Sequence, residues 1–173
     1  EIHSDLVWRG HKHIPIASVS DESAANTITC TAPSKTFNLA GLSTANAIIS
    51  NKEIYDAFCA ERRTSAIHSP DIFGMIALQE AYDHGEPWLE DLLDYLAANY
   101  DYLEQYLAEH LPQIKPLRPE GTYLIWLDFS ALGLDKDALK AFLNQKARVA
   151  MDQGPWFGAG GEGFARMNLA CHR

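Results

Sequence analysis

Lys35 stands in the stretch Ala32-Pro33-Ser34-Lys35-Thr36-Phe37-Asn38-Leu39-Ala40-Gly41, one amine between two hydroxyl residues in an otherwise apolar run that closes on glycine. Surface lysines ordinarily lie among charges, so an amine flanked by Pro33, Phe37 and Leu39 is expected to be partly desolvated. Desolvation disfavours the charged form of an amine and turns it into a nucleophile that condenses with aldehydes. A Ser-Lys turn with a solvated head group fits the same residues.

Read whole, Ser34-Lys35-Thr36-Phe37-Asn38-Leu39-Ala40-Gly41 resembles the cofactor-lysine signature of the fold-type I pyridoxal-phosphate enzymes, and among them the MalY/PatB-like C-S lyases of the cystathionine β-lyase type. Three further segments occur in the family's order. Glu1-Ile2-His3-Ser4-Asp5 resembles the end of the strand and loop that carry the partner of the pyridine nitrogen. Glu120-Gly121-Thr122-Tyr123-Leu124-Ile125-Trp126-Leu127-Asp128-Phe129 resembles the first strand of the small domain. Phe164-Ala165-Arg166-Met167-Asn168-Leu169-Ala170 resembles the strand whose arginine binds the substrate carboxylate.

The resemblance implies pyridoxal 5'-phosphate as cofactor, with Lys35 its covalent anchor and the base that takes the Cα proton. It implies that Arg166 holds the substrate carboxylate, for which a planar guanidinium is suited; by pattern alone, a strand-edge arginine in a surface ion pair is the alternative. Ser34 and Thr31 become candidates for phosphate contacts, although loop hydroxyls also satisfy their own backbone. His3 stands where many aminotransferases of this fold carry a tyrosine that bonds the cofactor's ring oxygen; a buried structural histidine is the other option. The implied reaction is α,β-elimination from cystathionine or a related cysteine S-conjugate. An aminotransferase on the same scaffold is the alternative, disfavoured because Gly41-Leu42-Ser43-Thr44-Ala45-Asn46 lacks the phosphate-clamping arginine of many such enzymes. A non-catalytic interaction module is the third option. The family's members are about twice this length and homodimeric, so the chain is expected to be a C-terminal fragment with an incomplete site and little or no activity of its own. The aspartate partnering the pyridine nitrogen would directly precede Glu1, and Ile67-His68-Ser69-Pro70 would lie near the partner subunit's cofactor.

A chain of 173 residues with 47% hydrophobic and 21% charged residues is long enough for a sizeable core and has a globular composition. Its net charge of -9 opposes binding to nucleic acid or an anionic membrane. Three widely spaced cysteines, Cys30, Cys59 and Cys171, suggest reduced thiols in a cytoplasmic protein. No signal peptide is recognised, and no apolar run reaches bilayer length. His11-Lys12-His13 has metal-like spacing without an evident partner ligand, so no metal is assigned. Gly158-Ala159-Gly160-Gly161 lies between strands and does not open a helix, which favours a lid or connecting loop over a nucleotide site.

The elements that position these residues follow from periodicity. Residues 6–20 read as loop, 26–31 as a strand entering the lysine turn, and 45–49 as a short buried strand. Ser50 with Glu53 forms a capping-box pattern for a helix ending near Thr64, and Ser69-Pro70 an N-cap pattern for a second helix bearing Ile72, Phe73, Ile76, Ala77 and Glu80. After a break at residues 84–87, apolar positions 88, 89, 92, 93, 96, 100, 103 and 107 trace one face of a long helix. Strands are expected over 122–129, 149–151 and 164–170, with a helix from Asp135 to about Ala147. The expected fold is α/β: residues 1–95 as the remainder of a large cofactor-binding domain, joined by the long helix to a small α+β domain over residues 96–173.

Overall fold

The structure is a computed structural model and describes residues 1–67, 69 and 71–172. The chain divides into two compact units, Glu1–Leu93 and Asp94–Arg173. Among the described residues no helix is long and apolar enough to cross a membrane.

The first unit opens with a turn and a loop in which Leu6 and Trp8 are buried. A short helix α1 (Asp21–Ala25) follows, capped by Ser20, whose side chain accepts from the Ser23 amide. Thr27 sends its hydroxyl back to the Ser23 carbonyl, so the strand begins later than its β-branched residues suggest, as β1 (Thr29–Thr31). The lysine segment forms a one-turn helix, α2 (Pro33–Thr36). After it comes β2 (Asn46–Ile48), antiparallel to β1 with Thr31 opposite Asn46. The expected burial of β2 is not met: Ile48 is exposed, because among the described residues β1 is the one strand paired with β2.

Two helix starts differ from their sequence signatures. Helix α3 (Lys52–Thr64) is capped by Asn51, which accepts from the Glu53 and Ile54 amides, while Ser50 instead donates to the Ala24 carbonyl. Helix α4 (Ile72–His84) is capped by Asp71, which accepts from the Gly74 amide; Pro70 of the expected start and His68 lie outside the described residues. The face of α4 carrying Ile72, Phe73 and Ile76 is exposed. Its other side approaches residues 42–44 so closely that a Cβ on Gly74 would lie 1.9 Å from Thr44 Oγ1.

Helix α5 (Glu86–His110) runs through both units. In the second unit it buries Leu96, Tyr100 and Leu107, as its periodicity predicts, together with Asn99, which a hydropathy pattern passes over. Asn99 Nδ2 donates to the carbonyls of Leu169 (2.8 Å) and Cys171 (3.1 Å). Those acceptors follow the last strand of a four-stranded antiparallel sheet, made of β3 (Lys115–Leu117), β4 (Leu124–Asp128), β5 (Asp152–Gln153) and β6 (Phe164–Asn168) in the order β3-β4-β6-β5. Strand β3 is not among the expected strands; Pro116, lacking an N–H, is tolerated because β3 is an edge strand. Strand β5 begins one residue after the expected 149–151. Helix α6 (Lys136–Ala141), capped by Asp135 as expected, widens into a π-helical stretch over Phe142–Ala147. Ile125, Leu127, Leu139, Leu143 and Ala165 form the core of this unit with the α5 residues.

Tyr100 is 1% exposed and sits under the Arg118 guanidinium, 4.8 Å from its ring centroid. Burial first, and then the Glu104 carboxylate, push its hydroxyl up to about 12. A tyrosine in an unfolded chain ionises near about 10, so raising the pH through this interval deprotonates the unfolded form alone and lowers stability. Denaturant unfolding of the full-length protein at pH about 9 and about 12 is expected to show a smaller loss of stability in Tyr100→Phe than in the parent.

Candidate active site

Lys35 lies on α2, between β1 and a 3-10 turn over Ala40–Leu42. Pro33 occupies the start of the turn, where its missing N–H costs nothing and its fixed φ suits the helix. At 100° per residue, Pro33, Thr36 and Phe37 share one side and Ser34 and Lys35 the other. Pro33 and Thr36 are buried, and Lys35 is exposed. The expected desolvation of Lys35 is therefore not met: its apolar neighbours turn inward and leave the amine outside. No hydrogen bond or ion pair engages that amine among the described residues.

Two anchors hold the turn. Thr36, fully buried, donates from Oγ1 to Asp5 Oδ2 at 2.8 Å, tying the lysine helix to the turn at residues 2–5. Phe37 packs edge-on against Tyr82 (5.9 Å between centroids) and tilted against Trp88 (5.7 Å). Gly85 lets the ring in: a Cβ there would stand 2.4 Å from Phe37 Cε1. Burial first, then the Asp5 carboxylate, raise the Tyr82 hydroxyl above the ordinary tyrosine range.

Ser34 is half-buried next to Lys35. Thr31, the last residue of β1, accepts from Asn46 Nδ2 at 3.4 Å and lines a cavity of about 540 Å³ with Ser4, Asp5 and His13. Lys35, Ser34 and His3 lie outside that lining. His3 shares the turn with Asp5, accepts at its carbonyl from the Leu6 amide (3.0 Å) and has a buried Nε2. Glu1, to which the sequence motifs assign no chemistry, braces the following loop by accepting from the Ile16 amide (2.9 Å) and His13 Nε2 (3.2 Å). These bonds, the amide first, hold its carboxyl below the usual carboxylate range. His13 of the His-Lys-His run thus faces a carboxylate.

Arg166 belongs to the second unit. It sits at the centre of β6, opposite Trp126 on β4 and Asp152 on β5, on an interior strand and not at a sheet edge. Its Nε and Nη2 donate to Asp152 Oδ2 at 3.1 and 2.5 Å, and its Cζ lies 4.5 Å from the Phe157 ring centroid. Phe157 is fixed in turn by Trp126, edge-on at 5.3 Å. The glycine-rich segment bearing Phe157 folds as two 3-10 turns, Gly154–Phe157 and Ala159–Gly161. These approach so closely that a Cβ on Gly154 would lie 2.0 Å from the Gly161 carbonyl oxygen.

The family profile for aminotransferase class I and II matches residues 1–173. The chain belongs to this family. It is 43% identical over 171 residues to cystathionine beta-lyase PatB of Bacillus subtilis, covering 99% of this chain and 44% of that protein. To protein MalY of Escherichia coli it is 36% identical over 174 residues, covering 100% of this chain and 44% of that protein. The crystal structure of Treponema denticola cystalysin, which contains a pyridoxal 5'-phosphate cofactor, superposes with a TM-score of 0.93 at 38% identity over 99% of this chain and 43% of cystalysin. The chain thus spans less than half the length of these relatives and carries the corresponding part of the fold-type I transferase fold.

Sequence reasoning missed Asp5, Asp152 and Phe157, since each acts through a neighbour distant in sequence. Asp5→Ala strands a buried hydroxyl and is expected to cost about 1–3 kcal/mol, read as a lower urea midpoint of the full-length protein at unchanged slope.

Proposed function

We propose that the full-length protein carrying this chain is a pyridoxal-phosphate-dependent C-S lyase that converts cystathionine, or a related cysteine S-conjugate, and water into a thiol, pyruvate and ammonia. The observation that carries this function is the Lys35 amine, exposed and, among the described residues, unengaged, on a turn that Thr36 and Phe37 pin from behind. Family membership and the name cystathionine beta-lyase, borne by PatB and by a Corynebacterium glutamicum relative, support it.

The donor set suits the cofactor. Lys35 offers an amine for its aldehyde, Ser34 and Thr31 offer hydroxyls for its phosphate, and His3 offers a ring N–H for its phenolic oxygen. When bound, pyridoxal phosphate supplies an electron sink that makes the substrate's Cα–H acidic. Arg166 binds the substrate's α-carboxylate and so orients the Cα–H bond. Lys35 Nζ would take the Cα proton. The Cβ–S bond then breaks, the thiolate leaves with the electron pair and is protonated, and hydrolysis of the three-carbon remainder yields pyruvate and ammonia. In this scheme residues 1–95 belong to the cofactor-binding domain and residues 96–173 to the small domain of a cytoplasmic homodimer whose substrate is a small amino acid.

Incubated with cystathionine and no keto acid, the full-length protein should release pyruvate and thiol, and Lys35→Ala should reduce the rate to roughly a thousandth or less. Borohydride reduction in the presence of pyridoxal phosphate should label the Lys35 peptide. Turnover that requires added 2-oxoglutarate would make the protein an aminotransferase instead, and a label on another peptide would remove Lys35 from its role.

A further inference from the structure

In the second unit, the guanidinium of Arg166 is held on two sides by groups to which the proposed reaction assigns no part. Asp152 takes its Nε and Nη2 hydrogens on a single oxygen, Oδ2, at 3.1 and 2.5 Å. Phe157 covers one face at 4.5 Å and is itself held by the Trp126 edge. The cross-strand register enforces the arrangement, because Asp152 and Arg166 are direct partners on β5 and β6 and Trp126 lies opposite Arg166 on β4. An arginine side chain has several rotatable bonds, and an unrestrained guanidinium loses much of its bidentate advantage to the entropy of being oriented. Here the ion pair and the ring remove that freedom beforehand. Among the described residues no acceptor meets Nη1, so the held guanidinium keeps donors for an incoming carboxylate.

We propose that Asp152 is a positioning residue for carboxylate recognition: by occupying the Nε–Nη2 edge of Arg166, with Phe157 beneath the plane, it directs the Nη1 side of the guanidinium to the substrate's α-carboxylate. This rests on the assignment of Arg166 to the substrate carboxylate in the proposed reaction. The chemistry selected is a carboxylate over its isosteric amide, and Asp152 contributes orientation and does not touch the ligand. Its carboxyl is 44% exposed, so solvent screens its charge, and its effect on a second carboxylate is smaller than its effect on the geometry of Arg166.

The test uses the full-length holoprotein and two unreactive probes that lack an amine, 4-(methylthio)butanoate and 4-(methylthio)butanamide, titrated calorimetrically. Preference for the carboxylate over the amide is the readout, with amide binding controlling for general loss of structure. Arg166→Gln should abolish the preference; if it survives, the assignment of Arg166 fails. Asp152→Ala should reduce the preference by about tenfold, the scale of one misdirected charge-assisted hydrogen bond, and Asp152→Asn, which keeps an acceptor oxygen in place, should restore it to within about threefold of the parent. If Arg166→Gln loses the preference and Asp152→Ala keeps it, Asp152 has no positioning role. That role is equally overturned if Asp152→Asn is as impaired as Asp152→Ala, because the acceptor would then not be what matters. Should Asp152→Ala not yield folded protein, Asp152→Ser takes its place with the same outcomes.

Discussion

The hydrogen bond from the buried Thr36 hydroxyl to Asp5 is the constraint on which the placement of Lys35 depends. A helix of one turn has no stability of its own, since nucleation fixes several dihedrals for a single hydrogen bond. α2 is such a turn, and it stays where tertiary contacts put it. Thr36 on the inner side is fully buried, so its hydroxyl must find an acceptor, and the acceptor is a carboxylate 31 positions earlier. Phe37 adds a second fixed point in a slot that exists because Gly85 has no side chain. Together they leave two outward positions, Ser34 and Lys35. The Lys35 side chain is thus placed by contacts that its neighbours make, and not by apolar surroundings of its own.

The second unit solves a similar problem with a sheet. Arg166 is placed by β6, whose neighbours on both sides are antiparallel strands, and the strand end is clasped by the Asn99 amide from α5. Antiparallel pairing sets Asp152 and Trp126 directly across from Arg166, and the paired glycines 154 and 161 let the segment bearing Phe157 fold tightly enough to bring its ring under the guanidinium. In each unit a candidate site residue is held through its neighbours: a hydroxyl and an aromatic ring beside Lys35, a carboxylate and an aromatic ring around Arg166.

Much of this is legible in order and kind. The long apolar period through Leu96, Tyr100 and Leu107, the Asp135 cap and the strand around Arg166 all emerge from local patterns, which report on the chain's nearest neighbours. Local patterns misplace a cap where two candidates stand side by side. Ser50 and Asn51 are both good N-caps, and the role falls to Asn51 because Ser50 is spent on the Ala24 carbonyl of a different helix. The apolar residues Ile72, Phe73 and Ile76 mark α4 as a helix, yet the side that meets the chain is the one with Gly74, where the approach to Thr44 leaves no room for a side chain. Hydropathy measures what a face would bury, not how near a neighbour stands.

The sequence by itself determined the family, through motifs spread from the first residues to the last, and with it the candidate lysine, arginine and hydroxyls and the α/β plan that carries them. Tertiary structure alone decided that Lys35 faces outward while its apolar neighbours face in, that Asp5 is what holds Thr36, and that Asp152 and Phe157 grip Arg166. The physical reason is that motif and periodicity are properties of adjacent residues, whereas orientation is set by hydrogen bonds and ring contacts between segments that are remote along the chain and meet only when it folds.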